Sequence, residues 1–234
     1  MLFRSDMKKR TALIGAILSL VPFGQPLFIK TGLVFSTTGL MLHVSEKARA
    51  ENGDFYFNRG ITKYDAGDYY GAISDYTKAI DINLTDVDAY YNRGLAKRKL
   101  GDYYGAISDY TKVIELEPAP DAYNNRGFAK GKLKDYYGAI SDFTNAININ
   151  PQYAKAYYNR AWNKSQLKDY KGSISDLTKS IEINPNYKNA YRNRGIDKKL
   201  IGDLKGACFD WGKASSLGDQ VSAKLEKDEC LIYY

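Results

Sequence analysis

The sequence predicts an all-α chain, a solenoid of five helix-turn-helix repeats closed by a C-terminal helix. Three observations lead there. A four-residue signature recurs as Phe57-Asn58-Arg59-Gly60, Tyr91-Asn92-Arg93-Gly94, Asn124-Asn125-Arg126-Gly127, Tyr158-Asn159-Arg160-Ala161 and Arg192-Asn193-Arg194-Gly195. Its arginines stand 34, 33, 34 and 34 residues apart, a period that belongs to stacked hairpins and not to a closed globule. Within the second period, two stretches with helical apolar spacing flank a break at Gly101-Asp102.

Residues 1–50 are a different object. Arg4 and Lys8-Lys9-Arg10 precede a mostly apolar segment, residues 11–44, which Pro22, Gln25, Pro26 and Lys30 interrupt. One reading is an export signal, with Ala48-Arg49-Ala50 as a small-x-small cleavage site that would release a chain beginning at Glu51. Another is a retained membrane anchor, as one segment or a hairpin, with the N-terminal cations held on the cytoplasmic side. A third is an apolar helix packed on the solenoid. The expected location is therefore membrane-associated or exported, with cleavage or retention open.

The repeats follow, at about 54–87, 88–120, 121–154, 155–188 and 189–219. In the second, residues 89–100 read as the first helix, and Asp102 is placed to cap the next one by accepting bonds from its free N–H groups. Residues 103–116 form that second helix, which ends at Glu117 because the residue before Pro118 resists helical dihedrals. Residues 220–231 read as a capping helix with Val221 and Leu225 turned inward. Cys208 and Cys230 flank the turn at Leu217-Gly218 and are expected to lie near each other. Both a disulfide in an oxidising compartment and two reduced, packed thiols fit.

Tyr90, Gly94, Ala106, Tyr110 and Pro118 fall on the pattern W-x2-L-G-x2-Y, A-x3-F, P, which resembles the tetratricopeptide repeat (TPR). The other copies supply Gly60, Ala72 and Tyr76; Gly127, Ala139, Phe143 and Pro151; Ala161, Ser173, Leu177 and Pro185; and Gly195, Ala207 and Trp211. Small residues there let two helices approach, and an aromatic fills the space beside them. Arg93 and Lys97 depart from the pattern, standing where Leu and Tyr are usual, and both departures recur in each copy. The resemblance is to a bacterial TPR type with an N-terminal signal or anchor. It implies a right-handed solenoid whose first helices line a concave groove for protein partners.

That groove is expected to carry Asn58, Asn92, Asn125, Asn159 and Asn193, flanked by Tyr91, Leu95, Phe128, Tyr158 and Trp162. An Asn amide can bond a ligand's backbone; it can equally satisfy a polar group of the preceding repeat. Ile61, Leu95, Phe128, Trp162 and Ile196 stand three residues beyond each Asn and form an apolar stripe, with Trp162 as the foremost anchor. The carboxylate clamp of chaperone adaptors is incomplete here. Its first-hairpin Lys falls on Phe57, Tyr91 or Asn124, so that function is not carried over.

Each Arg also precedes an Asp by sixteen residues: Arg59/Asp75, Arg93/Asp109, Arg126/Asp142, Arg160/Asp176 and Arg194/Asp210. Ion pairs within or between repeats are expected. The basic runs Lys97-Arg98-Lys99, Lys130 to Lys134 and Lys198-Lys199 are expected to be solvated complements to helix dipoles. The net charge of +7 is mostly local, since residues 1–50 hold +5 and the rest +2, a weak basis for phosphate contacts. His43 is the single histidine, and no nucleophile motif, phosphate loop or metal-ligand cluster is present. The expectation is a non-enzymatic scaffold or adaptor with no cofactor, no metal site and no nucleic-acid partner. An RNA-binding helical repeat and a regulatory subunit of an enzyme complex are the alternatives.

Overall fold

Five aspartates start the second helix of each hairpin. The carboxylates of Asp68, Asp102, Asp135, Asp169 and Asp203 accept the backbone N–H of the glycine three residues on, at 2.8–2.9 Å. Before each Asp the chain reverses through a left-handed residue. Gly67, Gly101 and Gly202 take that place in three hairpins, and Lys134 (φ 65°) and Lys168 (φ 64°) take it in the other two.

The structure, a computed structural model, describes residues 37–230, with side chains from residue 51. Its eleven described helices are α1 (Thr37–Asp65), α2 (Tyr69–Ile82), α3 (Val87–Lys99), α4 (Tyr103–Leu116), α5 (Pro120–Lys132), α6 (Tyr136–Ile149), α7 (Ala154–Gln166), α8 (Tyr170–Ile183), α9 (Lys188–Leu200), α10 (Leu204–Ser216) and α11 (Gln220–Glu229). The fold is all-α, five helical hairpins followed by one terminal helix. Most of the apolar segment 11–44, read as a signal or anchor, lies outside the described residues. α1 runs without a break through Ala48-Arg49-Ala50.

The chain divides into two units at Ala96/Lys97, inside α3. In the first unit α1 packs on α2 around Ala72, Tyr76 and Ala96, with Phe57 and Ile61 half-buried beside them. Gly60 permits this approach, since a Cβ there would sit 2.6 Å from the Tyr76 ring. In the second unit α5 packs on α6, α7 on α8, α9 on α10 and α11 on α10, while α5 touches α7 and α7 touches α9. Gly195 repeats the close approach against Trp211, whose indole N–H donates to the Arg192 carbonyl at 3.3 Å.

Cys208 and Cys230 are joined by a disulfide that ties α11 to the last hairpin across 22 residues. Both are buried, against Trp211 and Leu225. The inward face of α11 differs from the expected one: Val221 is exposed, and Ser222 and Leu225 turn inward. Asp219 caps α11 through the Ser222 N–H, which sets a register that puts residues 222 and 225 on one face.

An ionic clasp replaces apolar packing where Leu and Tyr are usual. Arg126 gives Asp142 two bonds, at 3.0 and 2.7 Å, and Lys130 approaches the same carboxylate at 2.8 Å. The arrangement recurs as Arg59 and Lys63 on Asp75, Arg160 and Lys164 on Asp176, and Arg194 and Lys198 on Asp210. Lys97 binds Asp109 at 2.8 Å. Lys97, Lys130 and Lys198 are thus half-buried clasp members, which corrects their reading as solvated dipole complements. The guanidinium groups of the second to fifth hairpins also reach the hairpin before them. Arg93, Arg126, Arg160 and Arg194 donate to Thr77, Thr111, Thr144 and Thr178 at 3.0–3.1 Å.

Candidate binding face

Two of the signature asparagines, Asn159 and Asn193, bridge successive first helices. Asn159 on α7 donates its amide N–H to Asn124 Oδ1 on α5 at 2.9 Å, and Asn193 on α9 donates to the Tyr158 hydroxyl on α7 at 3.1 Å. One helical hairpin of sequence separates donor from acceptor, so the recurring Asn marks the seam between successive first helices. Asn125 is buried at the same seam position of α5. In the first unit Asn58 is exposed on α1. Tyr91, Asn92 and Leu95 are buried there, and the Asn92 amide has no hydrogen-bond partner among the described residues. Those three are core and not groove wall, because the arc they share on α3 is covered.

What remains open lies on α5, α7 and α9 of the second unit. Phe128 is half-buried, with the cations of Arg98 and Lys132 over its ring at 5.2 and 5.3 Å. Trp162 is 37% exposed and meets the Tyr136 ring edge-on at 6.1 Å between centroids. Ile196 is 39% exposed on α9. Tyr158 is half-buried, its ring centroid 4.9 Å from that of Tyr187 with the planes tilted by 35°. Burial pushes its phenol above the ordinary range, and burial pushes that of Tyr187 up to about 12.

Two cavities share Tyr158 and Trp162 as walls. One, of about 170 Å³, opens between α5 and α7 and is lined by Phe128, Gly131, Phe143 and Asn163 as well. The other, of about 310 Å³, opens between α7 and α9 over Ser165, Ser173, Asn193 and Asp197. Trp162 lines both cavities.

Sequence reasoning missed the polar floor of the second cavity. Asp197 is buried, its Oδ1 accepts the Ser165 hydroxyl at 2.7 Å, and the Ser173 hydroxyl lies against the same carboxyl. Burial raises its carboxyl above the ordinary range, against the Ser165 and Ser173 hydroxyls beside it. Asn163 is buried too, donating to the Asn159 carbonyl at 2.8 Å. A signal existed. At the register positions of Ala96 and Ala129 the last two repeats carry Asn163 and Asp197, and Ser173 stands where Ala106, Ala139 and Ala207 do. Among the described residues, no group of three His, Cys, Asp or Glu side chains is placed to hold a metal ion. No described helix is long and apolar enough to cross a membrane.

Models of the tetratricopeptide repeat match residues 60–101, 87–119, 120–153 and 154–187, a continuous run over more than half of the sequence. The chain belongs to the TPR family. Its hairpins superpose on solved TPR structures. The crystal structure of the MamA protein is 26% identical, with a TM-score of 0.67 over 71% of this chain and 92% of that one. YrrB, described as a TPR protein with an unusual peptide-binding site, is 18% identical, with a TM-score of 0.65 over 81% and 96%. PilF of Pseudomonas aeruginosa is 18% identical, with a TM-score of 0.67 over 80% and 90%. The last two are likenesses of fold. No curated protein matches the chain in sequence. The TPR architecture is that of protein-interaction scaffolds.

Proposed function

We propose that this TPR chain is a non-enzymatic scaffold whose first-helix face, centred on Trp162, holds a peptide or surface of a partner protein. The observation that carries the reading is Trp162 itself, a large aromatic left 37% exposed between two cavities on neighbouring helices. Partly open aromatics beside unfilled pockets are the usual anchors of protein recognition. Phe128, Tyr158 and Ile196 extend the apolar surface along the same three helices. YrrB, of similar fold, is described as having a peptide-binding site, which supports this reading.

The setting we propose is at or across a membrane, through the N-terminal apolar segment 11–44. The Cys208–Cys230 disulfide supports an oxidising compartment for the repeats. N-terminal sequencing of the mature chain separates the two forms: Glu51 as first residue means export with cleavage, and an intact N-terminus in the membrane fraction means an anchor.

Trp162→Ala tests the binding face. It should lower capture of the native partner at least tenfold while leaving the melting temperature nearly unchanged, because the side chain is not enclosed. Undiminished capture by a folded variant would move the site elsewhere.

A further inference from the structure

The cavity between α5 and α7 is bordered by cations that no acid answers. Its walls are the aromatic rings of Phe128, Phe143, Tyr158 and Trp162; among the described residues, Lys132 is the one charged side chain lining it. The guanidinium of Arg98, near the end of α3, lies 5.2 Å from the centroid of the Phe128 ring, and the Lys132 ammonium lies 5.3 Å from the same centroid. Neither side chain makes an ion pair among the described residues, and Lys132 is exposed. The clasp lysines differ, each set against a buried carboxylate. Two cations drawn to one ring repel each other, and the ring's attraction offsets that only weakly at an exposed site. An anion placed beside them removes the imbalance.

This seam also differs from its neighbours in sequence. Gly131 stands at the register position that Arg98 fills one hairpin earlier, and without a side chain there the space beside Trp162 stays open. That space, about 170 Å³, is enough for one aromatic ring, since an apolar cavity of roughly 150 Å³ holds benzene. At the register position of Lys132 the next two hairpins carry Gln166 and Leu200, so the charge is confined to the α5 end and the face turns apolar toward Ile196. The first helices supply no acid to offset it. On α5, α7 and α9 the acids are Asp121, which starts α5 and accepts from the Tyr153 hydroxyl, and Asp197, which is buried.

We propose that this cavity takes a phenylalanine side chain from an acidic segment of the bound protein, its ring among Phe128, Tyr158 and Trp162 and its flanking carboxylates on Lys132 and Arg98. This rests on the reading of the face as a protein-binding surface and names the segment that surface selects. An ammonium and a guanidinium give carboxylates charge-assisted hydrogen bonds, and an aromatic-lined cavity favours a ring. The two cations stand six and seven residues beyond the signature Asn92 and Asn125 of their hairpins, away from the positions of the chaperone-adaptor clamp. A basic segment meets like charge here, and an acidic one without a ring leaves the cavity unfilled.

The test titrates the full chain with the peptide acetyl-Asp-Glu-Phe-Glu-Asp-amide and follows the Trp162 indole N–H resonance. Two matched peptides separate charge from ring: one carries Asn and Gln in place of the acids, the other Ala in place of Phe. A saturable shift with the acidic Phe peptide, at least tenfold weaker with either matched peptide, is the expected result. Lys132→Glu, at an exposed position, should weaken the acidic peptide at least tenfold with helicity retained. Equal binding of either matched peptide, or no saturable shift with any, would overturn the proposal, and so would a folded Lys132→Glu chain that binds unchanged. Oligouridylate that shifts the same resonance at lower concentration than the peptide would mark a nucleic-acid surface and also overturn it. Capture of the native partner separates this proposal from the reading it rests on. Lys132→Glu should lower capture at least tenfold, as Trp162→Ala should; a loss with Trp162→Ala and none with Lys132→Glu would leave the binding face standing and sink its choice of an acidic segment.

Discussion

Arg160 and Asp176 face each other across one hairpin through two parallel N–H···O bonds of 2.8 and 2.7 Å. The same guanidinium lies over the Tyr157 ring and donates to Thr144 of the preceding hairpin at 3.0 Å. One side chain therefore closes its own repeat and fastens it to its neighbour. Bidentate geometry on a buried carboxylate makes this a strong form of ion pair, and breaking it leaves Asp176 with Lys164, at 2.8 Å, as its remaining cation.

Arg126→Ala should therefore destabilise the chain by about 1–3 kcal/mol. A double-mutant cycle with Asp142→Ala, measured by chemical denaturation, should show coupling of at least about 0.5 kcal/mol, as residues sharing one network do. Additive effects would mean that the pair contributes nothing beyond its separate contacts.

The clasp also sets a pH response. The hydrogen bonds of Arg59, chiefly, hold the Asp75 carboxyl at about 2, below its ordinary 3.8, with Lys63 adding to the effect. A depressed folded-state pKa means that this stabilisation is complete above about pH 4 and lost as pH falls through about 2. Asp75→Asn should flatten the stability profile in that window. An unchanged acid limb would remove Asp75 from the cause.

Lys134 and Lys168 hold left-handed turns that glycine holds in the other hairpins. A side chain there costs about 1–2 kcal/mol, and glycine returns part of that gain through a looser unfolded chain. Lys134→Gly and Lys168→Gly should each raise stability by roughly 0.5–1 kcal/mol. A fall in the denaturation midpoint would show that the lysines make compensating contacts.

Asn159→Ala should cost about 1 kcal/mol, because it leaves the buried Asn124 oxygen without its donor. An unchanged melting curve would return Asn159 to the role of a free ligand contact.

The disulfide closes a 22-residue span and should contribute about 3 kcal/mol, mostly to the seating of α11. Alkylation of the denatured chain, isolated under alkylating conditions, should find no free thiol. Two free thiols would place the repeats in a reducing compartment.

Much of this fold was legible because its repeat writes each structural need five times. The capping Asp102, the break at Gly101 and the close approach of Gly60 to Tyr76 each follow from one residue's chemistry, and the structure places them so. The Arg/Asp spacing disclosed the pair but not the third member. The lysines four residues after each Arg recur as regularly, yet their target lies on another helix and only the packed hairpin shows it. The binding face was less legible. Helical spacing from Asn92 marks an arc of α3 but does not say whether that arc is covered, so Tyr91 and Leu95 were expected as surface and are core. Val221 failed for a related reason, since the cap at Asp219 shifts the inward face by one residue. Asp197 and Ser173 escaped notice because each residue type occurs once at its register position, so periodicity does not mark it.

In the proposed function the partner sits against Trp162. A photoreactive phenylalanine analogue placed at position 162 of the full chain, and in a second sample at exposed Phe209 on α10, tests it most directly. Irradiation in the native cell should crosslink the 162 sample to a defined protein, and mass spectrometry should locate the adduct on one segment of that protein. The 209 sample should give no such adduct. Crosslinking at 209 with none at 162 would contradict the account.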